Sequence, residues 1–134
     1  MLGEKVGDTK GKVMVRRVLP GEGGAPKMET SFQATGTLLG IEQRESGTYI
    51  AAVRPDGTVF GEGQGVTLGK DGDMATWRGQ GVGTIKPGGT VSYRGAVYYQ
   101  TSSAKWARLN SIACVFEYEA DAEGNTRAQL WEWK

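Results

Sequence analysis

Few side chains in this sequence could carry a reaction. Glu62, Arg78, Arg94 and Glu117 are the candidates that one cavity could bring together. A carboxylate would move a proton and a guanidinium would steady developing negative charge, a chemistry of shape and charge without a cofactor. Gln64, Gln80, Tyr93, Tyr99 and Trp77 are candidates to line such a cavity. Glu117 and Glu119 sit two apart on a β-type stretch, so they share a face, where one raised pKa would make an acid–base pair. The plainer and favoured reading of that pair is an exposed strand end.

What is missing narrows the chemistry further. There are no histidines, so Ser-His-Asp and Cys-His catalysis, an HExxH zinc site and a histidine pH switch are all excluded. The single cysteine, Cys114, lies in the apolar run Ile112-Ala113-Cys114-Val115-Phe116 and reads as a small buried hydrophobe. One cysteine forms no internal disulfide, so nothing implies an oxidising compartment. Asp71-Gly72-Asp73 and the stretch Asp121 to Asn125 superficially resemble calcium loops but lack the 12-residue ligand pattern. Both read as turns, and neither a metal nor a cofactor is expected.

Charge and hydropathy set the class. With 16 basic and 15 acidic residues the net charge is +1, which argues against the basic face of a nucleic-acid binder. The first residues lack a basic segment followed by an apolar one, and no apolar run approaches the length of a membrane helix. A single cytoplasmic domain over 1–134 is expected, without nucleic-acid or membrane partners.

The elements that must position the candidates are strands. Lys12 to Leu19, Lys27 to Gln43, Thr48 to Arg54, Thr58 to Gly69, Met74 to Lys86, Thr90 to Thr101, Leu109 to Ala120 and Thr126 to Trp133 all read as β. Between them stand turn signals: Arg44 to Gly47, Pro55-Asp56-Gly57, Lys70 to Asp73, Pro87-Gly88-Gly89 and Asp121 to Asn125. Ser102 to Arg108 is the one helical turn, opened by a serine cap. The first eight or so residues and the loop Pro20 to Pro26 read as flexible. No βαβ crossover is visible. The expected fold is all-β, an antiparallel up-and-down (meander) barrel of about eight strands, with a two-sheet sandwich as the alternative.

Glycine, at 22 residues, is the strongest local signal. Phe60-Gly61-Glu62-Gly63-Gln64-Gly65-Val66 is echoed by Trp77-Arg78-Gly79-Gln80-Gly81-Val82-Gly83, so each segment has one face bare of side chains. Either a ligand approaches that face, or the glycines let a barrel bend while Trp77 or Phe60 covers the bare surface; the second is favoured. A phosphate loop is excluded, since neither GxGxxG nor GxxxxGK[ST] occurs. A two-residue Asp71-Gly72 turn sets Gly65 opposite Arg78; one residue more sets Gln64 opposite Gln80 and could gather Glu62, Arg78 and Arg94 inside. The favoured place for that cluster is nevertheless the solvated outer face.

The strand count, the chain length, the glycine-punctuated strands from Gly61 to Gly83 and the late strand Leu109 to Glu119 resemble the allene oxide cyclase and dirigent-like barrels. That resemblance concerns architecture and carries over no active-site residue. It implies an eight-stranded meander, often a dimer or trimer. The run Arg94-Gly95-Ala96, Leu109-Asn110 and Phe116-Glu117-Tyr118-Glu119 is also similar to an uncharacterised bacterial family. Three functions stay open. The leading one is a barrel binding a small, largely apolar ligand in its interior or at its mouth. The second is a histidine- and metal-independent cyclase or isomerase using Glu62 or Glu117 with Arg78 or Arg94. The third is an oligomeric interaction protein with Trp106, Trp131 and Trp133 at a subunit contact.

Overall fold

A computed structural model of the chain describes residues 1–134. Eight strands run β1 (Leu2–Leu19), β2 (Lys27–Leu38), β3 (Ile41–Val53), β4 (Val59–Gly69), β5 (Met74–Ile85), β6 (Val91–Thr101), β7 (Cys114–Ala120) and β8 (Asn125–Trp133). Each is antiparallel to the next, and β8 returns to β1, so the sheet closes into a barrel in meander order. Closure removes both edges, which settles barrel over sandwich.

Period-two alternation decides what points inward. On β5, Ala75, Trp77, Gly79, Gly81 and Gly83 face in, while Thr76, Arg78, Gln80 and Val82 are exposed. The core runs the length of the barrel. At one end Trp106 and Leu109 pack on Leu38 and Ala75; Val6, Val97, Cys114 and Leu130 fill the middle; Val59, Tyr93, Tyr118 and Ala120 fill the other end.

Trp106 belongs to a 3-10 segment, Ala104–Ser111, that plugs the first end. The ring is fully buried and its Nε1 donates to the Leu38 carbonyl at 2.9 Å. The serine preceding this segment does not cap it: the Ser103 hydroxyl hydrogen-bonds Asp73 instead. The segment displaces the start of β7 from the expected Leu109 to Cys114. Only Cys114 onward can follow β6 in register, with Val97 opposite Cys114.

Two turns differ from expectation. The reversal after β2 is Leu39-Gly40, both at positive φ (49° and 75°), with Leu38 paired to Ile41. This is the two-residue hairpin geometry that matches strand twist. Leucine rarely adopts such a φ; here the Leu39 amide donates to the Val6 carbonyl at 2.7 Å. Arg44 to Gly47 is therefore not a turn but the middle of β3. Nor are the first residues loose, since β1 starts at Leu2 and pairs with β8 as far as Trp133.

The register of β4 on β5 is neither of the two expected. Gly69 and Asp73 close a three-residue loop through Gly69 N–H to Asp73 carbonyl, at 2.8 Å, which sets Gly65 opposite Trp77 and Gln64 opposite Arg78.

Candidate functional site

Because the glycines of β4 and β5 face inward, they set the shape of the interior. A Cβ on Gly65 would meet the Trp77 indole at 2.4 Å, and one on Gly47 would meet Trp77 and Phe32 at 2.7 and 2.8 Å. Gly61 and Gly83 stand in the same way under Tyr93. Large rings and bare backbone thus alternate around the wall, as the taper of a small barrel requires. Phe60 plays no part in this cover, for it lies on the outer face with the Arg54 guanidinium 6.0 Å from its ring centroid.

The rings do not fill the interior. They leave a cavity of about 100 Å³ whose wall includes Phe32, Tyr49, Trp77, Tyr93, Tyr99, Phe116 and Tyr118, with Val97 and Leu130. Glycines 61, 63, 79 and 81 form one side of it. Phe32, Tyr49, Tyr93 and Tyr118 pack edge-to-face or tilted at centroid separations of 5.6 to 6.1 Å. The Tyr118 hydroxyl donates to that of Tyr49 at 3.3 Å. Burial raises the pKa of Tyr49, Tyr93, Tyr99 and Tyr118 alike, so all four remain neutral phenols.

One carboxyl joins these rings. Glu45, at the centre of β3, accepts a hydrogen bond at 3.1 Å from the Trp77 indole and lines the cavity. Burial pushes its carboxyl up, and hydrogen bonds from Trp77 and Thr9 offset part of that rise. No lysine or arginine lines the cavity. Two more inward-facing oxygens lie beside Glu45, Thr67 Oγ1 directly across from it on β4 and Gln43 Oε1 two residues along β3. Both are buried without a hydrogen-bond partner.

The structure divides the expected site residues between the two faces. Trp77, Tyr93 and Tyr99 line the cavity. Glu62, Gln64, Arg78, Gln80 and Arg94 are exposed on the outer wall. Glu117 is outside as well, 3.6 Å from Arg94 in an ion pair whose side chains stay 44% and 65% exposed. Alternation forces this outcome: with the glycines inward, every residue between them points out. Glu62 and Gln80 border the cavity only as strand positions flanking those glycines. A cyclase or isomerase site built on Glu62, Arg78, Arg94 and Glu117 therefore does not exist inside this barrel. Glu119 is exposed too, beside Lys86. Trp106 cannot form a subunit contact, being wholly inside; Trp133 is 61% exposed. Cys114 is fully buried and its thiol is pushed up to about 11, which leaves it unreactive near neutrality.

Glu45 escapes notice in the sequence because Arg44-Glu45-Ser46-Gly47 has the composition of a turn. The signal that would have found it is the Gly40 hairpin. From there, odd positions 41 to 53 face inward, and Glu45 is the one acid among them.

No family model matches the chain. No curated protein matches it. Several solved structures share its fold, among them these three. A conserved protein of unknown function from Rhodopseudomonas palustris superposes with a TM-score of 0.83 at 12% identity, covering 98% of this chain and 97% of that one. A protein of unknown function from Clostridium acetobutylicum gives 0.83 at 15% identity, covering 98% of each. A β-barrel-like protein from Acinetobacter baumannii gives 0.83 at 12%, covering 98% of this chain and 94% of that one. The chain is thus a small β-barrel of a kind also seen in proteins of unknown function. No helix is long and apolar enough to cross a membrane. The outer wall carries Lys10, Lys12, Arg44, Glu62, Arg78 and Arg94, where a transmembrane barrel would present an apolar band.

Proposed function

We propose that the protein binds a small, largely apolar ligand inside the barrel. The observation that carries this reading is the cavity of about 100 Å³ bounded by aromatic rings and bare glycine backbone. Its size lies below the roughly 150 Å³ of an apolar cavity that accepts benzene, so the occupant has few heavy atoms. The architectural resemblance to allene oxide cyclase and dirigent-like barrels supports an interior ligand site and assigns no reaction. Xenon tests the reading directly. A crystal under xenon pressure is expected to show an atom between Trp77, Tyr93 and Tyr99; an interior without xenon there refutes it.

A second reading is self-association. Leu2, 57% exposed, pairs across the β1–β8 seam with the exposed Trp133, and this apolar patch supports a dimer or trimer. Sedimentation should show concentration-dependent mass that Trp133→Ser abolishes; a monomer at high concentration removes the reading.

A further inference from the structure

We propose that the ligand is a small alkylammonium cation, held between the Glu45 carboxylate and the aromatic rings around it. This rests on the interior-ligand reading above and narrows it to one sign of charge.

The wall has one electrostatic character. Aromatic side chains attract cations through the negative face of the ring, and seven of them line this cavity. Glu45 adds a carboxyl, held on one oxygen by Trp77 and opposed by no basic side chain. Thr67 Oγ1 and Gln43 Oε1 are buried and unpartnered on inward positions beside Glu45, outside the cavity wall itself, and the Thr67 hydroxyl can donate as well as accept. An anion would find no basic side chain in the wall to hold it. A neutral ligand would leave the carboxyl in the protonated form that burial favours, whereas a cation would draw out the carboxylate. A compact cation with apolar methyl groups satisfies both features, its charge on Glu45 and its methyls on the rings. The volume fits on the order of four heavy atoms, by comparison with the cavity that holds benzene.

Proton linkage follows from the same groups. Facing Glu45 are Thr9 from β1, Ala34 from β2, Thr67 from β4, Trp77 from β5, Tyr99 from β6 and Tyr118 from β7. The only titratable groups among them are the two phenols, which burial keeps neutral. Glu45 alone therefore sets the pH response. Burial favours its protonated form in the free protein, whereas a bound cation favours the carboxylate. Affinity rises as pH rises through the Glu45 titration and levels off above it.

The test titrates trimethylammonium chloride into ¹⁵N-labelled protein, following the Trp77 indole N–H, beside the neutral and similarly branched tert-butanol and beside xenon. At pH 7.5 trimethylammonium is expected to bind at least about tenfold more tightly than tert-butanol, and to weaken toward pH 4.5. Glu45→Gln should lose at least about tenfold of that affinity and all of its pH dependence, while xenon binding persists. If xenon or tert-butanol binds and trimethylammonium does not, or if Glu45→Gln binds the cation like wild type, the cation assignment falls and the apolar-ligand reading stands. If none of the three binds, both fall.

Discussion

The indole Nε1 of Trp77 donates to Oε2 of Glu45 at 3.1 Å, joining β5 to β3 across the whole width of β4. The bond is possible because Gly65, the β4 residue beneath the ring, has no side chain: a Cβ there would stand 2.4 Å from the indole. Backbone, ring and carboxyl thus form one unit, and its parts can be tested separately.

The carboxyl is tested by pH. Glu45 has a raised pKa in the fold, first because of burial. Between its ordinary value and the raised one the folded state binds more protons than the unfolded state, so stability falls as pH rises. Glu45→Gln keeps an acceptor for Trp77 and has no proton to lose. Thermal unfolding should show the variant close to wild type at pH 4 and with a higher Tm at pH 7.5. An identical pH response in the two proteins would sink this account.

The glycine is tested by one methyl group. Gly65→Ala should cost about 1–3 kcal/mol through overpacking against the indole. Trp77→Leu in the same chain should recover part of that loss, since the clash partner is gone. A denaturant double-mutant cycle reads the coupling; additive single effects would show that the ring and the glycine do not meet.

At the plugged end, Trp106→Phe leaves the buried Leu38 carbonyl without its donor and should cost about 1–3 kcal/mol. Trp106→Ala should cost more, about 3–5 kcal/mol, by opening a void at a fully buried site. Urea melts of both variants settle the order, and a near-neutral Trp106→Ala would mean the 3-10 segment is not a plug.

The outer wall supplies the contrast. Arg94 and Glu117 form an exposed pair, worth about 0–1 kcal/mol at most. Arg94→Ala and Glu117→Ala should each leave stability within about 0.5 kcal/mol of wild type and leave interior binding unchanged. A loss of interior binding in either variant would contradict the placement of these side chains.

Strand number, meander order and the inward role of Trp77 were legible because alternation and turn chemistry are local. What escaped depended on single-residue counts. The Lys70-Asp71-Gly72 loop has the longer of the two lengths weighed, yet the strands slip the opposite way, so that Gly65 stands opposite Trp77 where the two-residue turn would set Val66. Reading the β2–β3 turn at Arg44 to Gly47 rather than Leu39-Gly40 hid Glu45, because leucine at positive φ carries no turn signature. Glu62, Arg78 and Arg94 came inward only in a register the chain does not adopt. Trp106, at the edge of a short segment, showed nothing in its neighbours to mark it as a plug.

The ring of strands has a consequence in time. Seven of its eight seams join strands that follow one another in the chain, and those hairpins can form locally; the eighth joins β1 to β8. That last seam carries the largest loop-closure entropy of the eight. During synthesis β1 waits, edge exposed, until β8 has emerged. Until then the wall that Glu45 and the rings share is incomplete, and the chamber exists only once the barrel has closed.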